Sequence, residues 1–371
     1  MRLRRAIRRR KDFFVGVMCF ITAFCALTLF LHPRGTTFAD GIESRMKYII
    51  DQNDFINTGE RRVQLNNTSH AQSNTLDKVQ EKIRNDNLFE NFTIPEFITI
   101  NKYPCGQHTE ILVYFNSRWD NFMKRRRLRS TWASRTIFKQ HNVKFMFVLG
   151  KPSDINDVIR LKNEQRLHDD IIMGDFVDSY YNLTLKSIVA IHFVKTYCTS
   201  VKFIIKSDDD IFVNLFKVMK EILPVMHSDR NELACQVVES GKSPIVRDSK
   251  SKWYIPAHIF PNQTYLPQFC SGFMVIMTSS LMSNLYMKTK VTSQIHVDDV
   301  YMFGTLTQDI SPIKFIDIKQ NVTLKQDQGV ERYRKGIDEY FAVNVRDIEA
   351  MEEMWSLTLM KFSPKPKQKG R

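Results

Sequence analysis

A chain of 371 residues with 43% apolar content can bury one large core or two modest ones. Its formal charge of +14 would suit a nucleic-acid binder only if it were concentrated on a folded face with aromatics interleaved. Most of the excess instead lies in two flanks, Arg2 to Lys11 and Lys361 to Arg371, so the body is near balance and that class is disfavoured.

At the N-terminus, Arg2, Arg4, Arg5, Arg8, Arg9, Arg10 and Lys11 precede an uncharged apolar run from Phe13 to Leu31. That run is long enough to cross a bilayer if it lies nearly upright. The basic flank predicts a cytoplasmic N-terminus and a lumenal or extracellular remainder. A cleaved signal peptide is the alternative, but the run exceeds a usual signal core and no small-x-small site follows Leu31. The expected division is a basic cytoplasmic tail over 1–12, a transmembrane signal anchor over 13–31 and a polar lumenal stem over 32–104. A folded domain over 105–345 and a basic C-terminal tail over 346–371 complete it. Cys105, Cys198, Cys235 and Cys270 would then lie in an oxidising compartment, where their even number allows two disulfides in any of three pairings. Acceptor sequons at Asn66, Asn67, Asn91, Asn182, Asn262 and Asn321 agree with a lumenal chain, although Asn182 falls in a stretch with regular structure.

From Glu110 onward, short apolar runs alternate with amphipathic ones. Ile111 to Phe115 predicts a strand, Asn121 to Trp132 a helix, Val143 to Leu149 a strand and Asp154 to Leu167 a helix. Ile171-Ile172 opens a further strand, Leu183 to Tyr197 is a buried helix, and Phe203 to Lys206 is a fourth strand. Later strands are expected at Gly272 to Met277 and Ile313 to Ile318, and helices at Ser280 to Met287 and Asp299 to Leu306. The alternation predicts a single α/β domain with a mostly parallel central sheet and helices on both faces.

The fourth strand runs into three consecutive carboxylates, Asp208-Asp209-Asp210, followed by apolar Ile211-Phe212-Val213. Like charges packed against apolar neighbours need a cation or hydrogen-bond donors, and strand ends in α/β sheets are where ligands bind. Asp208 and Asp210, one residue apart, suit a hard divalent cation, Mn²⁺ or Mg²⁺, which keeps open positions for phosphate oxygens. Taken alone, the run reads more readily as solvated loop acids with an N-cap among them.

Other segments fall in a meaningful order around it: Arg125 to Trp132 (RRRLRSTW), Asp175 to Lys186 (DFVDSYYNLTLK), Lys206 to Asn214 (KSDDDIFVN), Phe269 to Gly272 (FCSG) and Val297 to Tyr301 (VDDVY). Together these resemble the inverting β-1,3-galactosyltransferase and β-1,3-N-acetylglucosaminyltransferase family, with the fringe enzymes more distant, over about residues 108 to 310. Three departures stand out: Met274 where the family commonly has a second glycine, Asp298 for a more usual Glu, and Gly304 one place late. Met274 would reshape the floor of the acceptor site or shift its strand.

The resemblance implies a nucleotide-sugar-binding, GT-A-like fold and a UDP-sugar donor whose departing diphosphate is neutralised at a metal held by Asp208 and Asp210. It places the base for the acceptor hydroxyl on Asp299, with Asp298 beside it as a second catalytic candidate. Arg125, Arg129, Asp175, Asp178, Lys186 and Asp209 become candidates for holding the nucleotide and diphosphate. Taken singly, Arg125 and Arg129 would be a solvated helix face, Asp298-Asp299 a helix N-terminus, and Asp178 with Lys186 a structural pair. Trp132 reads as core packing, Cys270 as a disulfide partner, and His168, His192 and His296 as structural. The implied protein is a Golgi-membrane, single-pass type II galactosyltransferase acting on a glycan of a glycoprotein or glycolipid. An N-acetylglucosaminyltransferase using UDP-GlcNAc, or a tethered glycan-binding protein without turnover, is the alternative.

Overall fold

The computed structural model describes residues 95–99, 105–336 and 339–362. The expected cytoplasmic tail, the anchor at 13–31 and most of the stem lie outside these residues. Among the described residues no helix is long and apolar enough to cross a membrane.

The elements run β1 (Phe97–Thr99), β2 (Ile111–Asn116), α1 (Phe122–Ser130), β3 (Val143–Lys151), α2 (Ile155–His168) and β4 (Ile171–Val177). Then come α3 (Leu183–Tyr197), β5 (Phe203–Asp208), β6 (Ile211–Val213), α4 (Leu215–Glu221), β7 (Glu232–Val238) and β8 (Phe269–Thr278). The chain closes with α5 (Ser279–Thr289), α6 (Asp298–Val300), β9 (Lys314–Asp317), β10 (Val322–Thr323), α7 (Gln326–Lys335), β11 (Ala342–Asn344) and α8 (Ile348–Phe362).

Eight strands form one sheet in the order β1-β4-β3-β2-β5-β8-β7-β9. The run β4-β3-β2-β5 is parallel, as the alternating pattern predicts. Every residue of β2, Ile-Leu-Val-Tyr-Phe-Asn, is buried, which is the signature of a parallel strand covered on both faces. Its side chains alternate between two cores. Val113 and Phe115 join Trp132, Phe147 and Ile205 on one face, and Leu112 and Tyr114 join Val148, Ile191 and Phe193 on the other. Beyond β5 the sheet changes character. β8 is antiparallel to both β5 and β7, and only β9 restores a parallel pair. The sheet is therefore mixed: no helix lies between β7 and β8, and a connection without a crossover helix makes neighbouring strands antiparallel.

The acidic turn leaves this sheet altogether. β6 belongs to a second, three-stranded sheet in the order β10-β11-β6, whose other members come from the end of the chain. The boundary expected at 345 is accordingly too early. Residues 348–362 form α8, with Met351, Met354, Trp355 and Thr358 buried, and Trp355 stacks on Phe216 of α4 at 6.3 Å between centroids. The spacing 351, 354, 355, 358 is that of one apolar helix face, and basic composition obscures it only beyond Lys361. At the other end β1, within the expected stem, pairs with β4.

The cysteines pair as Cys105–Cys198 and Cys235–Cys270, with Cα atoms 5.2 and 5.7 Å apart. The first ties the chain ahead of β2 to the end of α3, and the second staples β7 to β8. Thr184 of the Asn182 sequon is buried, with its hydroxyl on the Ile295 carbonyl at 2.7 Å. Met274 is buried in the core opposite Ser207 of β5, so it shapes that core and not an acceptor floor.

Candidate active site

The site forms where β5 ends, between the two sheets. Asp208 is its last residue, in register with Asn116 of β2. Asp209 and Asp210 make the turn into β6. Their side chains diverge because strand-end geometry sends successive residues to opposite sides. Asp209 points inward and is 6% exposed. Its carboxylate accepts from Ser117 Oγ at 2.7 Å, Asn121 Nδ2 at 2.7 Å and Lys124 Nζ at 2.9 Å. It thereby anchors the loop between β2 and α1, and its oxygens face protein donors where a nucleotide contact was expected.

Asp208 and Asp210 keep their carboxylates half open, at 40% and 38% side-chain exposure. Burial of its inner side pushes the Asp208 carboxyl up, to about 6. Asp210 and Asp298 add to the rise, and Lys206 pulls against it. Lys124 Nζ reaches Asp210 at 3.2 Å, and Asn344 of β11 donates to Asp210 at 3.4 Å.

Lys206, two residues before Asp208 and 3% exposed, organises the other side. Its ammonium lies 3.2 Å from Asp208 Oδ1 and 3.5 Å from Asp298 Oδ2, and it donates to the Gly272 carbonyl. Burial works against its charge, but Asp208 and Asp298 outweigh that and hold it firmly protonated. Asp298 is itself buried, which raises its pKa, while Lys206 opposes the rise. One of its oxygens, Oδ1, has no hydrogen-bond partner.

Asp299, next in the chain, accepts from the Gly272 backbone N–H at 3.2 Å. Gly272 is there because nothing larger fits: an added Cβ would sit 2.9 Å from Asp299 Cβ and 3.1 Å from Lys206 Nζ. The FCSG and VDDVY segments are thus brought against the acid run through one ammonium and one glycine. After α6 the helix widens into a π-turn, Tyr301–Thr305. A π-turn holds one more residue than an α-turn, so the displaced Gly304 still packs on Phe269, to which an added Cβ would come within 3.0 Å.

The two arginines go elsewhere. Arg125 is 0% exposed, with donors to Glu164 Oε1 and Oε2 at 2.9 and 2.6 Å, to the carbonyls of Arg118 and Trp119 at 2.6 and 3.1 Å, and to Ser117 Oγ at 3.4 Å. No N–H of that guanidinium is left for a diphosphate. Arg129 forks onto Asp170 at 2.7 and 2.8 Å and meets Glu164 at 2.7 Å. Both expected donor contacts are therefore corrected to a buried ionic frame linking α1, α2 and the start of β4.

Lys186 and Asp178 form a second internal pair at 2.6 Å, with Lys186 also on the Ser117 carbonyl at 2.7 Å and Asp178 accepting from Trp119 N at 2.9 Å. This pair shapes the β2–α1 loop. Asp175 is exposed and engaged by Lys151. Of the expected site residues, the structure brings together Asp208, Asp210, Asp298 and Asp299. Lys206, Lys124 and Gly272 join them without having been expected there, Lys206 and Gly272 from within the segments 206–214 and 269–272 and Lys124 from α1.

The pair Asp208 and Asp210 fits a hard divalent cation. The two half-open carboxylates crowd each other's charge, and oxygen is the donor such ions take. Among the described residues no third His, Cys, Asp or Glu completes a ligand cluster. The remaining positions would fall to water and phosphate oxygens, as suits Mg²⁺ or Mn²⁺.

The galactosyltransferase family model matches residues 123–318, more than half of the chain. Beta-1,3-galactosyltransferase 1 of Homo sapiens is 33% identical over 211 residues, covering 56% of this chain and 63% of the relative. Beta-1,3-galactosyltransferase 2 of Homo sapiens is 29% identical over 180 residues, covering 48% and 42%. The match thus spans less than two thirds of these curated relatives. Among solved structures, a glycosyltransferase involved in glycosylation of the major capsid of PBCV-1 aligns with a TM-score of 0.34 at 10% identity, covering 66% of this chain and 98% of that one. Mouse xyloside xylosyltransferase 1 aligns at 0.32 and 11%, covering 63% and 96%. Likenesses at that level decide nothing here. The family match runs from α1 through β9 and so takes in the acid turn, Gly272 and Asp299 alike: this chain belongs to the galactosyltransferase family.

Proposed function

We propose that the protein is an inverting glycosyltransferase that moves galactose from UDP-galactose in β1,3 linkage onto a glycan of a glycoprotein or glycolipid. The observation that carries the reading is the meeting of Asp208 and Asp299 in one place, joined through Lys206 and Gly272. Displacement at the anomeric carbon needs charge neutralisation on the departing diphosphate and a base for the attacking hydroxyl on the opposite face of the sugar. Asp208 and Asp210 would hold Mn²⁺ or Mg²⁺, which supplies Lewis-acid stabilisation of the diphosphate when bound. Asp299 takes the proton of the acceptor hydroxyl as its oxygen bonds to the anomeric carbon. The bond from that carbon to the β-phosphate oxygen breaks with its electron pair leaving on UDP. Lys206 holds Asp208 and Asp298 at fixed separation, and the Gly272 N–H fixes the orientation of Asp299.

The sequence supports a Golgi-membrane, single-pass type II protein, through its basic flank and the apolar run at 13–31. UDP-N-acetylglucosamine is the alternative donor. With Met274 in the core, the non-catalytic glycan-binding reading loses the departure that favoured it.

Purified protein offered a panel of UDP-sugars with Mn²⁺, and again with EDTA, is the direct test. Cation-dependent release of UDP from UDP-galactose above all others is the expected result. Asp210→Asn should abolish turnover and Mn²⁺-dependent donor binding together. Asp299→Asn should lower kcat by about 10²–10⁴-fold and leave donor affinity intact. Donor affinity lost with Asp299→Asn, or UDP-galactose turnover untouched by EDTA, would overturn the assignment.

A further inference from the structure

Between β7 and β8 the chain makes a long excursion, 239–268, that the reaction described above does not use. It has a defined shape. Ile245 N donates to Thr264 O at 2.8 Å, Leu266 N to Ser243 O at 2.9 Å, and Ile255 N to Val246 O at 2.9 Å. Arg247 closes the loop on itself, donating to the carbonyls of Ile255, Ile259 and Phe260 at 2.8, 3.1 and 3.0 Å. Phe260 is held in the left-handed region at φ 54°, a conformation that a bulky residue keeps only when its surroundings impose it.

What this held loop presents is an aromatic pair with a cation between its rings. Trp253 is 51% exposed, and Tyr180 is itself open to solvent. Lys252 Nζ lies 4.5 Å from the Trp253 ring and 5.1 Å from the Tyr180 ring. Among the described residues no carboxylate pairs with it. The Lys252 carbonyl oxygen lies 3.3 Å from His296 Nε2, two residues before Asp298, which pins the loop to the segment carrying the proposed base. The Tyr181 ring lies 6.1 Å from the Tyr180 ring and 5.4 Å from the His296 ring, which places Tyr180 beside the segment that carries Asp299.

We propose that Trp253, Tyr180 and Lys252 form the subsite that seats the acceptor sugar, a neutral hexopyranose at the end of a glycan. The proposal rests on the glycosyltransferase reading and adds the residues that select the second substrate. The apolar C–H face of a pyranose matches an exposed indole that carries an ammonium 4.5 Å from its ring. An ammonium oriented by two rings, with its donors otherwise free of carboxylates, suits hydroxyl oxygens. The attacking hydroxyl must come within hydrogen-bond reach of Asp299, so its sugar has to be seated on this side of the acids.

The experiment measures UDP release from UDP-galactose by the full-length protein with Mn²⁺, titrating a panel of p-nitrophenyl β-glycosides of glucose, galactose and N-acetylglucosamine. For the glycoside that accelerates wild-type release most, Trp253→Ala should raise its half-saturating concentration by about tenfold or more, the loss of an aromatic anchor. Trp253→Phe should recover most of the affinity, and Lys252→Met should raise the concentration by about threefold, the loss of one polar contact. The KM for UDP-galactose should move far less than that for the glycoside. An unchanged acceptor concentration in Trp253→Ala, or equal rises in donor and acceptor KM, overturns the subsite. A wild-type protein that releases no UDP with any glycoside overturns the transferase reading beneath it, and the subsite with it.

Discussion

Replacing Arg125 by methionine separates a framework role from a substrate role. The side chain is 0% exposed and holds both oxygens of Glu164 and two backbone carbonyls of the β2–α1 loop. Methionine fills much of the volume and satisfies none of these acceptors. Breaking one side of a buried ion pair costs about 3–5 kcal/mol. Glu164 keeps Arg129 at 2.7 Å, so the lower end applies, about 3 kcal/mol. For a folded body of this size each kcal/mol lowers Tm by about 2–4 °C, giving a fall of about 6–12 °C. Thermal unfolding followed by near-ultraviolet circular dichroism measures this, and UDP-galactose affinity with Mn²⁺ at low temperature is measured in parallel. The framework role predicts the lower Tm with donor affinity within about twofold of wild type, since no donor contact is lost. A Tm unmoved within a degree or two, with donor affinity falling by an order of magnitude, would refute it and return the guanidinium to the diphosphate.

Three further outcomes are expected. Gly272→Ala drives a methyl to 2.9 Å from Asp299 Cβ, so kcat should fall by about 10²-fold while the protein stays folded; wild-type kcat in that variant would show that Asp299 is not held there. The Glu164 carboxyl sits below its ordinary value of 4.5, because the hydrogen bonds and charges of Arg125 and Arg129 outweigh the burial that would raise it. Its stabilising contribution is complete above 4.5 and is lost as pH falls through the lower folded value, so Tm plotted against pH should drop less steeply on the acid side in Glu164→Gln. Met274→Gly should lower Tm through a cavity in the core without changing the acceptor KM, and a shifted acceptor KM would restore this position to the site.

Where the sequence was legible, the reason is local. The strands β2, β3 and β5 announce themselves as continuous apolar runs, and α3 as a long buried helix, because burial on both faces leaves no polar positions to blur the pattern. The acids at 208–210 and 298–299 stand out because charge at the end of such a run is costly. What stayed hidden depends on partners far away in the chain. Nothing near Arg125 reveals that Glu164 will meet it from another helix, and nothing near Asp209 reveals that Ser117 and Asn121 turn its carboxylate inward. The pieces of the small sheet are two or three residues long, and their pairing is set by residues beyond 320, while β7 takes its place from the return of β8. Helix α8 carries the apolar spacing 351, 354, 355 and 358, which the basic residues from Lys361 onward mask.

The pairing of β6 with β11 has a consequence for the making of the protein. Asp210 offers its backbone carbonyl to Val345 N at 2.7 Å and one carboxylate oxygen to Asn344 Nδ2 at 3.4 Å. A ribosome that has delivered every acid and the aromatic loop has still not supplied the strand that fastens the turn between them. Competence therefore waits until residues 342–345 have been made, and a message cut short after Gly336 would leave the turn unfastened and strip Val343, Met351 and Trp355 from the core.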